Sequence, residues 1–553
     1  MISGRSPEKR SLRKALGAYY TPADLARAMV GWAVRSADDT LLDPSFGGCA
    51  FFEAAIDRLR DLGSSDPFAQ LAGVDIDPGA RRHLRGLPMY RLAPARFKLK
   101  QDFLKVGPEE FGAGGFDAVV GNPPYVRHHR LSHEQIDTGQ GCISSTGVRL
   151  PRSAGYWSYF VVHSFSFLKP GGRLAMVLPM AVLQADYAHP IRNAIAERFA
   201  RASLFLIRER VFRDTDEASV VVLAEGWNGR GTSVRVAAVD SVREFVKLCG
   251  EPKRVAQAGT TNGTSLRRGA LLPEKWLDVY DRLVQGEQVQ SLGDLARIRI
   301  GVVTGANEFF VLRPSSARDM GIRRRYLVPI IESARQLNRL TVSARDLEIW
   351  EEHDQRCLLL AIPAGPLAKK VTAYVESTIG KRVRQGYKCR IRSPWYRVSD
   401  TATPGAFLSY VNGTQPRLVL NTAKALCTNA VHRVWWKKRY PVVRQGLIVL
   451  SFLSSFSSLG AEIHGRSYGG GALKLEPRDA AKVPIAIPYA DSATVRGAFQ
   501  RANECLEQKD WSSATDIADD LVLRQGLGLP REEVAALRRA CEHLRMLRTP
   551  DYS

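Results

Sequence analysis

The run Phe116-Asp117-Ala118-Val119-Val120-Gly121-Asn122-Pro123-Pro124-Tyr125 decides the reading of this chain. Phe116–Val120 is apolar in the way of a strand buried on both faces, and a glycine ends it. Two prolines then fix the backbone and remove two N–H donors. At such a corner the Asn122 side-chain oxygen and the Pro123 carbonyl can both accept from one –NH2 group. That pair would hold an amine and draw it toward sp3 geometry, exposing its lone pair to an electrophile. Tyr125 offers a flat face to the same planar substrate.

Upstream, three more strand ends carry an acid or a glycine turn, where doubly wound folds bind ligands. Asp43-Pro44-Ser45-Phe46-Gly47-Gly48-Cys49-Ala50-Phe51 reads as strand, glycine turn and helix start, with a backbone that a ligand can approach closely. Asp75, in Gly73-Val74-Asp75-Ile76-Asp77, can take both hydroxyls of a ribose, or simply cap a helix. Gln101-Asp102-Phe103 pairs a carboxylate with an aromatic ring, which suits an adenine. Further upstream, Tyr19-Tyr20-Thr21-Pro22-Ala23-Asp24 predicts a helix with Thr21 as N-cap and Pro22 at its first position. Tyr20 and Thr21 are then placed to form a lid over the ligand.

Apolar runs at 40–43, 71–75, 96–100, 116–120, 173–178, 203–207 and 218–225 alternate with helical patterns, which implies parallel crossovers. The expected fold class is α/β, a doubly wound seven-stranded Rossmann-like sheet followed by a mixed α/β domain and a helical tail. The expected divisions are a basic tail over 1–16, a ligand-binding catalytic domain over 17–245, a second domain over 266–490 and a helical segment over 491–553. Residues 226–263, polar and turn-rich, read as an interdomain connection. The polar stretch 126–156 reads as a long loop that closes over the site. The aromatic run 155–160 reads as core.

The chain has 553 residues, with 79 Lys and Arg against 56 Asp and Glu, a net charge of +23. That excess favours a polyanionic partner, nucleic acid first. It is uneven. Across 376–440 stand thirteen Lys or Arg and two acids, interleaved with Tyr387, Trp395, Tyr396, Trp435 and Trp436. Cations meet phosphates and aromatics stack on bases, so Lys381, Arg382, Arg384, Lys388, Arg390, Arg392, Trp395 and Tyr396 are expected to contact nucleic acid. Arg127, beside His128, His129 and Arg130, is expected to touch the same backbone. The eight cysteines stand singly, so no metal site and no disulfide framework is expected. No run approaches the ~20 apolar residues of a membrane span, and a reduced, cytoplasmic, monomeric protein is expected.

The ordered set of Thr-Pro, Asp-Pro-x-x-Gly, acidic second-strand end, Asp-Phe and Asn-Pro-Pro-Tyr resembles the gamma-class DNA adenine-N6 methyltransferases of restriction-modification systems. Glu209-Arg210-Val211-Phe212-Arg213 resembles the family segment whose aromatic residue faces the flipped base. Residues 301–310 and 468–477 resemble its recognition-domain signatures. One departure is Cys49, standing where the second glycine of the turn is usual, with a thiol expected to crowd that approach.

The resemblance implies S-adenosylmethionine as cofactor and double-stranded DNA as partner, with a target-recognition domain over 266–490. Cofactor contacts would come from Tyr20, Thr21, Asp43, Pro44, Gly47, Asp75, Ile76, Asp102, Phe103 and Asn122. Asn122, Pro123, Pro124 and Tyr125 would act at the target amine, and Tyr125 and Phe212 would sandwich an extruded adenine. Only sixteen residues precede Gly17, too few for a fused nuclease, which leaves a nuclease partner on a separate chain. Two alternatives stay open. One is an amide or amine methyltransferase of RNA or protein, of the glutamine-N5 type. The other is an inactive DNA-binding subunit.

Overall fold

The computed structural model describes residues 20–91, 93, 95–112, 114–126, 128–212, 219–231, 234–251, 260–262, 268–398, 400–468 and 471–548. The basic tail and Arg127, expected above to contact nucleic acid, lie outside them, as do Arg213 and residues 469–470. The chain divides into two compact units, Met1–Pro273 with Met546–Ser553, and Glu274–Arg545.

The first unit is a nine-stranded sheet. Its strands are β1 (Leu41–Asp43), β2 (Leu71–Asp75), β3 (Phe97–Leu99), β4 (Phe116–Gly121), β5 (Leu168–Pro179), β6 (Phe199–Ile207), β7 (Ser219–Trp227), β8 (Val234–Val239) and β9 (Thr260–Asn262). They lie in the order β3-β2-β1-β4-β5-β7-β6-β8-β9. β1 to β5 run parallel, with Leu41 opposite both Leu71 and Ala118. β7 inserts antiparallel to both β5 and β6. The order reverses between β1 and β4, so the loops after those strands splay apart and leave a crevice at their carboxyl ends.

The helices needed for the site are α1 (Ala23–Ala33), α2 (Ala50–Asp61), α3 (Ala80–Arg85), α4 (His133–Cys142) and α5 (Tyr156–Ser164). α1 and α2 bury Leu25, Met29, Phe52 and Ile56 in one core with Val120, Ala175, Val177 and Phe205. The alternate strand residues Leu42, Val119, Leu174 and Met176 are buried as well, so both faces of the sheet are covered. That is why β4 reads as a continuous apolar run rather than an alternating one.

Two sequence expectations need correction here. The sheet has two strands more than seven, and they come from residues 226–263, which do not form a plain connection. β8 pairs parallel to β6. Its Val234, Val236 and Val239 are buried while Arg235 is not, an alternation that the flanking glycines mask in the sequence. The stretch 126–156 is likewise no open loop. It contains α4, started by a capping box in which Ser132 and Gln135 satisfy each other's backbone N–H. α4 packs against α5 at Gly139, where an added Cβ would lie 2.7 Å from the Tyr159 ring.

The second unit holds a five-stranded sheet in the order Ala296–Ile300, Val431–Trp436, Ala406–Ser409, Leu418–Asn421, Thr341–Val342. A four-stranded sheet runs Val311–Leu312, Leu358–Leu360, Leu327–Ile331, Leu426–Cys427. The helices Ser492–Glu507 and Trp511–Asp519 pack on Val442–Leu453 within this unit. Among the described residues no single helix is long and apolar enough to cross a membrane. The bent pair Val442–Leu453 and Ser455–His464 is apolar because it is core.

Candidate active site

β1, β2, β4 and the turn after β3 deliver their ends to one cleft of about 210 Å3. Of the residues singled out from sequence, Tyr20, Thr21, Pro44, Gly47, Asp75, Ile76, Asp102, Phe103, Asn122 and Pro124 line it. Asp43, Pro123 and Tyr125 do not line it, and neither does Phe212.

The glycine turn is locked to the second strand. The Gly47 N–H donates to one Asp75 carboxylate oxygen at 2.6 Å and the Asp77 N–H to the other at 2.7 Å. Burial nevertheless outweighs these bonds and pushes the Asp75 carboxyl up to about 6. Asp43 is wholly buried, and its acid is likewise pushed upward by the same cause. One of its oxygens accepts the Ser45 N–H at 2.9 Å, and the other, Oδ2, has no hydrogen-bond partner among the described residues. An isolated buried carboxylate oxygen is costly.

Tyr20 lies across the turn. A Cβ on Gly48 would sit 2.5 Å from its ring, so only glycine leaves room for it. Cys49 follows at φ +65°, the left-handed conformation that a glycine adopts freely. Its thiol is fully buried, packed into the hydrophobic core, and lines no part of the cleft. The expected crowding therefore does not occur. What the position asks of its residue is a backbone conformation.

Thr21 also departs from expectation. α1 is capped by Pro22, with no side-chain cap. The Thr21 hydroxyl instead accepts from the Asn122 amide nitrogen at 3.4 Å. Ser45 Oγ donates to the Asn122 backbone carbonyl at 3.1 Å. These two contacts tie the Asn-Pro-Pro corner to the lid and to the glycine turn, and they orient the amide with its nitrogen toward Thr21.

Asp102 is half-buried on the cleft wall. One oxygen accepts the Leu104 N–H at 3.1 Å and the other accepts the Tyr156 hydroxyl at 2.7 Å. Phe103 is only 1% exposed, its ring held against Phe160, His163 and Phe167. It backs the cleft and offers little free face. Tyr125 and Phe212 do meet, at 6.3 Å and 81°, edge to face. A flat base fits between them only if they part.

Sequence reasoning missed Tyr156 and Gln135 as cleft residues and placed Arg130 with the backbone-contacting Arg127, yet all three stand on the cleft wall. The capping box Ser132–Gln135 is the signal that could have found α4, and with it Gln135. Tyr156 is hidden within an aromatic run that reads as core, and most of α5 is indeed only that.

The basic segment of the second unit is split. Lys381, Arg382, Arg384, Lys388 and Arg390 are exposed on the short helices Thr378–Arg384 and Tyr387–Arg390, anchored by buried Val383 and Cys389. Arg392, Trp395 and Tyr396 are engaged inward. Arg392 donates to the Thr304 carbonyl at 2.6 Å and to that of Val303, bracing the loop over 301–310. Trp395 packs on Phe309 at 5.6 Å, and Tyr396 joins the adjoining core.

A parallel sheet with one inserted antiparallel strand, an acidic cleft and an Asn-Pro-Pro corner at its rim define a methyltransferase fold. Residues 91–212 match the Eco57I restriction-modification methylase model, and residues 268–523 match the model of the type II methyltransferase M.Eco57I C-terminal domain. The type II methyltransferase M.AccI of Acinetobacter calcoaceticus is 22% identical, with 84% of each chain covered. M.XamI of Xanthomonas campestris pv. amaranthicola is 24% identical over 85% of each. In fold the chain is like the type IIL restriction-modification enzyme MmeI, solved in complex with DNA. The TM-score is 0.56 at 12% identity, with 92% of this chain and 73% of the other covered. The chain belongs to the restriction-modification methyltransferases that carry a C-terminal domain.

Proposed function

We propose that this protein is a gamma-class, S-adenosylmethionine-dependent DNA methyltransferase. It methylates the N6 amine of an adenine extruded from duplex DNA, as the modification component of a restriction-modification system. The observation that carries this reading is the Asn122-Pro123-Pro124 corner standing on the rim of the same cleft that Asp75 and Asp102 line.

The residues present fit the cofactor. Asp75 can accept from ribose hydroxyls and Asp102 from an adenine amine, while Asp43, with its Oδ2 unpartnered among the described residues, is buried outside the cleft lining. When bound, S-adenosylmethionine supplies an electrophilic sulfonium methyl. The chain's own part is to place the nucleophile. Pro123 and Pro124 carry no N–H, so the corner presents acceptors alone. Thr21 holds the Asn122 amide nitrogen, which turns its oxygen to the opposite side. That oxygen and the Pro123 carbonyl accept the two amine hydrogens and leave the nitrogen lone pair free for the incoming carbon. Positioning supplies most of the acceleration, and no base need act first. The proton leaves N6 after the new bond has made that nitrogen cationic.

Tyr125 stacks on the base, with Phe212 beneath it. The exposed cations Lys381, Arg382, Arg384, Lys388 and Arg390 hold duplex phosphates. Sequencing that detects modified bases, on DNA incubated with the purified protein and S-adenosylmethionine, tests the whole reading. Methyl groups confined to N6 of adenine in one sequence context are expected. Modified cytosine, or methylated protein amides with unmodified DNA, would overturn it.

A further inference from the structure

We infer that Tyr156 is a positioning residue that holds Asp102 as a pure hydrogen-bond acceptor, on a wall it shares with Gln135, and so makes the cleft select a purine bearing an amino group. This inference rests on the nucleoside-binding reading of the cleft and names what enforces its base specificity.

The direction of each hydrogen at this wall follows from what its atoms can do. The Ser132 backbone N–H can only donate, and it donates to Gln135 Oε1 at 3.0 Å. That fixes the amide of Gln135, leaving its NH2 as the donor end. Gln135 and Tyr156 line the same cleft. The Tyr156 O–H donates to Asp102 Oδ2 at 2.7 Å, because a carboxylate oxygen can only accept. Asp102 Oδ1 receives the Leu104 N–H at 3.1 Å. Both carboxylate oxygens are therefore met by donors and keep their remaining lone pairs for the cleft, which Gln135, Tyr156 and Asp102 all line. A group in that state rewards a donor such as an exocyclic amine. It repels the carbonyl of a 6-oxopurine, which would face lone pair with lone pair.

The phenol is buried and pushed well above its ordinary range, first by desolvation and then by Asp102, so it stays protonated and remains a donor at any working pH. Tyr156 sits at the first position of α5, and Gln135 at the third of α4. The helix found within 126–156 is thus what brings the second wall to the nucleobase.

The test is calorimetric titration of the full-length protein with S-adenosylhomocysteine and with S-inosylhomocysteine, which differ at the purine 6 position. The wild type is expected to prefer the adenine compound strongly. Tyr156→Phe is expected to reduce that preference about tenfold, because Asp102 loses the donor that fixes its carboxylate. Gln135→Ala should reduce it less. The ratio of the two affinities, measured on one preparation, is unaffected by partial misfolding. An unchanged ratio in both variants, with wild-type discrimination intact, overturns the inference and leaves the cleft's nucleoside reading standing. A wild type that binds neither compound overturns both.

Discussion

The cleft of the first unit and the basic helices of the second treat charge in opposite ways. At the cleft, Asp75 and, just outside its lining, Asp43 are buried and their acids are pushed upward by the loss of water. Their backbone partners determine what each oxygen can still do. On the helices Thr378–Arg384 and Tyr387–Arg390, the cations stand in solvent. There Arg382 has a long ion pair with Glu308, at 4.0 Å, and one exposed cation could replace its neighbour. The first arrangement is built for one ligand in one pose, so a single atom matters. The second suits a polymer that is felt as a field, so the sum matters more than any member.

Removing one acceptor should produce the largest effect. Asn122→Ala deletes the oxygen that orients the amine, and kcat is expected to fall by about a hundred- to a thousandfold, as for loss of a preorganised polar group at a reacting centre. Duplex affinity, measured by anisotropy, should change little. Unchanged turnover would remove the cleft from the chemistry. The second unit should answer the other way. Lys381→Glu with Arg384→Glu should weaken duplex binding by about ten- to a hundredfold and flatten the plot of log affinity against log salt by about 0.9 for each phosphate no longer neutralised. Single-turnover methylation at saturating DNA should survive. An unaltered salt slope would assign these cations to solvent.

The cleft was more legible in the sequence than the basic segment, for the same physical reason. Asp75, Asp102 and Asn122 end predicted strands, and the topology of a parallel sheet alone brings strand ends together. Exposure has no such marker. Arg392 and Arg390 look alike in the chain, yet one braces the carbonyls of Val303 and Thr304 and the other faces solvent. Trp395 likewise fills a core against Phe309. The nine-stranded extent of the sheet stayed hidden because β8 lies among turn residues. Tyr156 stayed hidden because one polar contact sits within an otherwise apolar helix.

Acidity sharpens the contrast further. The Asp75 carboxyl is raised from its ordinary 3.8 to about 6, so it gains a proton as pH falls through that value. A protonated Asp75 has one fewer lone-pair acceptor for hydroxyls. Affinity for S-adenosylhomocysteine, followed by calorimetry, should therefore drop about tenfold between about pH 7.5 and about pH 5, and Asp75→Asn should abolish that dependence. The free protein responds with the opposite sign. Its folded state holds the proton more tightly than the unfolded chain, so the contribution of Asp75 to stability falls as pH rises from 3.8 to about 6, and stays lost above that. Duplex binding at the exposed cations should show no such step.

The smallest effect is expected at Cys49, and its smallness is informative. At φ +65° a cysteine costs roughly 1 kcal/mol that glycine would not. Its buried thiol offsets about the same amount through packing against the core beneath α2. Cys49→Gly exchanges one for the other, so denaturant unfolding should move by no more than about 1 kcal/mol. Affinity for S-adenosylhomocysteine should not move, since the thiol lines no part of the cleft. Tighter binding in the variant would mean that the thiol reaches the ligand after all. Cys49→Val separates the two contributions: a β-branched side chain tolerates the left-handed region poorly, so it should destabilise clearly more than glycine does.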